Sequence, residues 1–114
     1  MKYTKAKGGF TKLMKKVMIS QPMRGISEED IKNTRARVKA LLVEQGYEVI
    51  DSRIKFSLHW ESDIHNPPIY YLALSILYMS LCDIVYFCKG WEKARGCRVE
   101  HEIANAYGLQ IIYE

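Results

Sequence analysis

The chain has 114 residues, 48% hydrophobic and 26% charged, with a formal charge of +4. That is enough length for one domain around one modest core, and the composition excludes a disordered or collagen-like chain. Three cysteines, an odd number without framework spacing, exclude a disulfide scaffold and point to a reducing, cytoplasmic compartment.

Much of the positive excess comes first. Lys2, Lys5, Lys7, Lys12, Lys15 and Lys16 precede the first apolar run with no acid among them. The segment lacks arginine and amphipathic spacing, so a solvated, flexible extension over residues 1–14 ranks above a nucleic-acid arm. No apolar core with a small-residue cleavage site follows it, so it is not read as a signal peptide. A single domain is expected over residues 15–114.

Val17-Met18-Ile19-Ser20, ended by Gln21-Pro22, reads as a buried central strand. Met23-Arg24-Gly25 forms a loop, and Ser27 with Asp30 three residues on marks a helix start. Ile31, Thr34, Val38, Leu41 and Leu42 make one face of that helix, and Gly46 stops it. Tyr47 to Asp51 is the next strand, completing a right-handed parallel β-α-β unit. From Ser52 to His65 the pattern is irregular, and either a lid over a site or a surface excursion accounts for it.

Asn66-Pro67-Pro68 caps and opens a second helix. From Ile69 to Met79 its apolar residues point nearly all around, more than a small core can absorb, so a homo-oligomer contact through the 67–80 helix is expected. It is too short for a membrane span, and Ser75 and Ser80 interrupt it. A strand from Asp83 to Cys88, a helix from about Gly96 to Tyr107 and a strand from Leu109 to Tyr113 complete the alternation. The sum is an α/β fold: three layers, α/β/α, around a doubly wound parallel sheet of four to five strands, flavodoxin- or Rossmann-like.

In that topology the loops after the first and third strands, Ser20 to Gly25 and Lys89 to Gly96, meet at the C-terminal edge of the sheet, where such folds bind ligands. Arg24-Gly25 suits an anion, or is a surface arginine beside a turn glycine. Trp91 could stack on a nucleobase or plug the edge of the core. Glu100, four residues after Gly96, falls in or just beyond the first helical turn, where the dipole and free N–H groups are expected to keep it ionised at neutral pH. It is either a reactive carboxylate or a helix-capping one. A zinc site from Cys88, Cys97 and His101 lacks a fourth ligand at a recognisable spacing and ranks last.

K-V-M-I-S-Q-P-M-R-G from Lys16, G-Y-E-V-I-D from Gly46 and C-D-I-V-Y-F-C-K-G-W-E-K-A-R-G-C-R-V-E-H-E-I-A-N-A-Y-G from Cys82 resemble a family of small bacterial and phage proteins of unknown function, described as nucleoside 2-deoxyribosyltransferase-like. The resemblance covers about residues 15 to 114 and extends, more distantly, to the deoxynucleoside 5′-monophosphate N-glycosidases. It implies cleavage or transfer at the N-glycosidic bond of a deoxynucleoside or its 5′-monophosphate, with no cofactor and no metal. The nucleophile it implies is Glu100, followed at family spacing by Ala104, Ala106 and Gly108. The phosphate loop of the N-glycosidases corresponds to Gln21, Pro22, Met23, Arg24 and Gly25, and with the two converging loops the expected substrate-binding residues are Ser20, Gln21, Met23, Arg24, Gly25, Gly90, Trp91, Arg95 and Gly96. Three positions depart from the pattern: Ser75 stands where relatives usually carry a substrate-contacting aspartate, Ala94 where they carry serine or aspartate, and Met18 where the enzymes have tyrosine. A nucleotide-binding module without turnover is therefore the alternative.

Overall fold

The structure is a computed structural model that describes residues 3–6, 9–52 and 63–114, and of residues 3–12 the backbone only. The elements in chain order are β1 (Tyr3–Ala6), β2 (Gly9–Lys12), β3 (Lys16–Ser20), α1 (Glu28–Glu44), β4 (Glu48–Ile50), α2 (Pro67–Met79), β5 (Ile84–Phe87), α3 (Arg95–Ala106) and β6 (Gln110–Tyr113). Four strands form an all-parallel sheet in the order β4-β3-β5-β6. The fold is thus a small α/β one of the flavodoxin or Rossmann-like kind.

The apolar runs explain which strands are central. Every residue from Val17 to Ser20 and from Ile84 to Phe87 is buried, as expected of parallel strands covered on both faces. Alternate residues divide between two cores. Val17, Ile19, Ile84 and Tyr86 pack with Val38 and Leu42 of α1. Met18, Val85 and Phe87 pack on the other face with Leu74, Tyr78 and Met79 of α2 and Ala104 of α3. One helix therefore covers one face and two cover the other, giving the expected three layers.

The chain runs from β3 out to β4 and then crosses back to β5 on the other side of β3, so the order reverses between β3 and β5. Their register sets Ser20 opposite Phe87, and the two strand ends open side by side. At the opposite edge Asp83 ties three strand starts together. Its Oδ2 accepts from Lys16 N at 3.0 Å, its own N–H donates to Lys16 O at 2.9 Å, and its carbonyl accepts from Gln110 N at 3.1 Å.

The helix ends follow local chemistry. Ser27 Oγ accepts from Asp30 N at 3.1 Å, and Asn66 Oδ1 accepts from Ile69 N at 3.2 Å. Gly46, with φ of 91°, ends α1 in the left-handed conformation that a side chain disfavours. No described helix is long and apolar enough to cross a membrane.

Two expectations need comment. The basic stretch, read as a solvated extension, pairs as an antiparallel two-stranded sheet, Tyr3 opposite Lys12 and Ala6 opposite Gly9, apart from the parallel sheet. Tyr3, Thr4, Phe10 and Thr11 are strand-favouring types that the lysine pattern obscured. Leu41, placed on the inner face of α1, is 39% exposed, whereas Ile31, Val38 and Leu42 are buried. The segment read as a lid or surface excursion lies, over residues 53–62, outside the described residues.

The Ser27 cap is the cheapest local feature to test. Ser27→Ala is expected to lower unfolding free energy by about 1 kcal/mol in urea titrations, with Ser27→Asp restoring it; equal stabilities of Ser27→Ala and the parent would show that the cap carries no weight.

Candidate functional site

The reversal between β3 and β5 opens a cleft of about 890 Å³ at the C-terminal edge of the sheet. Its floor is the end of β3 and the second turn of α3. The β3–α1 loop, the first turns of α2 and the segment from Gly90 to Arg98 form its walls. Such a volume suits a small-molecule ligand of nucleotide size.

Glu100 lies on the floor. It is only 8% exposed, and Ser20 Oγ donates to its Oε1 at 3.5 Å. Burial pushes its pKa up to about 7, against the opposing pull of the Ser20 hydroxyl and the Arg35 charge. The expectation that the helix dipole keeps this carboxyl firmly ionised is therefore corrected. α3 begins at Arg95, so Glu100 is one turn too deep for the N-terminal field, and loss of water dominates. At neutral pH both protonation states are populated.

Eight of the expected residues line this cleft: Ser20, Gln21, Met23, Arg24, Gly90, Arg95, Gly96 and Glu100. Gly25 and Trp91 are not among the residues that line it. Gly25, with φ of 78°, shapes the turn closed by Ile26 N donating to Met23 O at 3.1 Å. Trp91 stacks on His101 with ring centroids 4.1 Å apart and lies 5.4 Å from Phe87 and 5.7 Å from Tyr113. Of its two readings, the plug at the edge of the core is the one observed. It also borders a separate cavity of about 320 Å³ beside Tyr113 and Glu114.

Gln21 lines the cleft with both ends of its amide already engaged. Its Nε2 donates to Ile31 O at 2.8 Å, and its Oε1 accepts from Arg35 Nε at 3.1 Å. Arg35 Nη2 also lies 3.5 Å from Ile19 O, so the guanidinium is held beneath the first loop, close to the strand end that bears Ser20. Sequence reasoning missed Arg35, yet a signal existed. Positions 31, 35, 38 and 42 share one helical face, and Arg35 is the only charge on that stripe.

Lys93, Arg98 and Cys97 were also missed as lining residues, while Ser75 and Ala94, noted as departures from the family pattern, do face the cleft. Arg98 Nη1 donates to Glu92 O at 3.1 Å. α3 opens from Ala94 without a side-chain cap, leaving N–H groups of its first turn at the cleft wall.

The thiols of Cys88 and Cys97 are buried, and burial pushes both up to about 11, so they stay protonated at neutral pH. His101 is turned toward Tyr113 Oη at 2.7 Å and Asn105 Nδ2 at 3.3 Å. Among the described residues no group of three or more histidines, cysteines or carboxylates is placed to hold a metal.

The buried carboxyl has a stability signature. Unfolded, Glu100 binds its proton near the ordinary 4.5, and folded near 7, so between these values the folded chain holds a proton that the unfolded chain lacks. Stability contributed by Glu100 therefore falls as pH rises through that window. Glu100→Gln cannot ionise and is expected to gain on the parent as pH rises, by on the order of 3 kcal/mol above pH 7 relative to pH 4, in urea titrations of both proteins. Parallel pH profiles would contradict the placement of the carboxyl.

No curated protein and no solved structure matches the chain. A family match spans residues 15–113, nearly the whole chain and all of the parallel sheet, and the protein belongs to that family, described as Domain of unknown function (DUF4406).

Proposed function

We propose that the protein cleaves or transfers the N-glycosidic bond of a deoxynucleoside or its 5′-monophosphate, with Glu100 as the nucleophile. The observation that carries this reading is a nearly buried carboxyl, 8% exposed, on the floor of a cleft that otherwise presents cationic side chains. A carboxyl shielded from water, with a pKa near 7, supplies a substantial anionic fraction at neutral pH in a place where that anion is poorly solvated. The resemblance of the Cys82 to Gly108 segment to nucleoside deoxyribosyltransferases supports the same residue.

In the proposed reaction a Glu100 oxygen bonds to C1′ of the sugar while the C1′–N bond breaks through an oxocarbenium-like transition state. The base leaves with the bonding pair and takes a proton from solvent. Water, or a second base, then attacks C1′ of the glycosyl-enzyme, releasing the sugar and restoring the carboxylate. Ser20 Oγ, within 3.5 Å of Glu100 Oε1, orients the attacking group. Arg24 and Arg95, which both line the cleft, are suited to the 5′-phosphate.

A second reading, a nucleotide-binding module without turnover, has specific support: Ser75 and Ala94 face the cleft where the family pattern supplies an acid or a hydroxyl. It retains the anion-binding walls and the base-sized space and dispenses with attack by Glu100.

Three free, buried cysteines fit work in the cytoplasm. Homo-oligomer formation through α2 belongs to the same proposal. The helix carries no charged side chain from Pro67 to Met79, so two copies can meet along it without like-charge repulsion. It leaves Ile69 62%, Leu77 47% and neighbouring Leu81 55% exposed.

Incubation with deoxynucleosides and their 5′-monophosphates, followed by chromatography for free base, tests the enzymatic reading. Base release is expected to rise with pH through a midpoint near 7, as Glu100 ionises, and to fall by roughly a thousandfold or more in Glu100→Gln. No release above that control, combined with nucleotide-dependent thermal stabilisation, would transfer the conclusion to the binding module. For the oligomer, light scattering at micromolar concentration is expected to return at least twice the mass of one chain, and Ile69→Glu with Leu77→Glu to return the monomer; a monomeric parent protein refutes it.

A further inference from the structure

Among the described residues five cationic side chains, Arg24, Arg35, Lys93, Arg95 and Arg98, line the cleft with one carboxyl, Glu100. They approach from two sides. Arg24 follows β3 and Arg35 rises from α1, while Lys93, Arg95 and Arg98 come from the segment that leads into α3. The ion pair of Arg37 with Glu114 lies outside the cleft, since neither residue lines it. Arg24, Lys93, Arg95 and Arg98 thus line one concave space without a carboxylate ion-pair partner among the described residues.

Arg24, Lys93, Arg95 and Arg98 are exposed, so solvent and salt screen their mutual repulsion, but gathered around one concave surface their summed field still raises the local concentration of anions. One phosphate, carrying at most two negative charges, leaves most of this set uncompensated. A chain of phosphates bears more charge and is long enough to reach both walls from a sugar seated over Glu100. The cleft volume, about 890 Å³, lies toward the upper end of small-molecule sites and has room for that chain.

We infer that the ligand of this cleft is a nucleotide carrying at least two linked phosphates, with the first phosphate on the Arg24 side and the extension read by Lys93 and Arg95. This rests on the nucleotide reading above and takes the substrate class beyond the monophosphate. The uncapped first turn of α3, between these two walls, adds N–H donors oriented for phosphate oxygens.

Isothermal titration calorimetry of the full chain with dAMP, dADP and dATP at one fixed salt concentration tests the inference. Each added phosphate is expected to tighten binding by about tenfold, with a steeper loss of dATP than of dAMP affinity as salt rises. In Lys93→Ala with Arg95→Ala the loss for dATP is expected to exceed that for dAMP by about tenfold or more. Should that double variant fail to fold, the salt series on the unaltered chain still decides.

NAD, whose pyrophosphate bridges two nucleosides, compared with AMP separates a bridging from a terminal chain, and a gain from either supports the inference. Equal affinities for dAMP, dADP and dATP with no gain for NAD, or an equal loss for all ligands in the double variant, overturns it. Calorimetry reads binding alone. A phosphate-dependent gain without free base therefore removes the glycosidic reading and leaves this one standing, and base release with identical KM for dAMP and dATP does the reverse.

Discussion

The parallel pairing of β3 with β5 is the constraint on which the site depends. Val17 to Ser20 of β3 and all of β5 are buried, and their shared register brings Ser20 level with Phe87 at the edge where the strand order reverses. Because the crossovers to β4 and β6 leave in opposite directions from this pair, nothing of the sheet's own backbone fills the space beyond its C-terminal end. Loops and helix ends must line it. Asp83, bonded to both neighbouring strands at the other edge, holds the same register from below.

Glu100 sits where two demands conflict. Burial in the sheet–helix interface positions its carboxyl against Ser20, but it also removes the water that would stabilise the anion. The result is a group poised between its two protonation states near neutrality, with Arg35 and the Ser20 hydroxyl restraining the shift. Gln21 is the quiet participant. By spending both ends of its amide on Ile31 and Arg35, it fixes the guanidinium that moderates the carboxyl. A residue expected to touch ligand therefore shapes the electrostatics of the floor.

The aromatic group at the outer edge illustrates how one residue type serves different ends. Trp91 follows directly on Gly90, which does line the cleft, yet its ring turns away to stack on His101 beside Tyr113. Gly90, with φ of 91°, takes the left-handed backbone that makes this change of direction. Glu114 closes the same edge, accepting from Lys89 N at 2.7 Å and from Arg37 Nη2 at 2.8 Å, and those donors hold its carboxyl below the usual range. The loop that carries Lys93 and Arg95 is thus anchored from behind.

The order of elements, the four parallel strands and the helix caps at Ser27 and Asn66 were legible in the sequence, because they arise from apolar periodicity and from hydrogen bonds within a few residues. So was the convergence of the two loops at the sheet edge, since strand alternation leaves few topologies. The strand pairing within the basic stretch was not legible, because lysine composition masked its strand-favouring residues. The direction in which the Trp91 ring points, the engagement of Gln21 with Arg35 and the pKa of Glu100 were not legible. Each depends on groups distant in the chain: Gln21 meets Arg35 through the packing of α1, and Glu100 loses its water only when α3 closes on β3. Local chemistry determined the fold, while for the carboxyl it left a capping and a reactive role open and only the family resemblance chose between them; tertiary burial raised its pKa and set it in one cleft with cations from two distant segments.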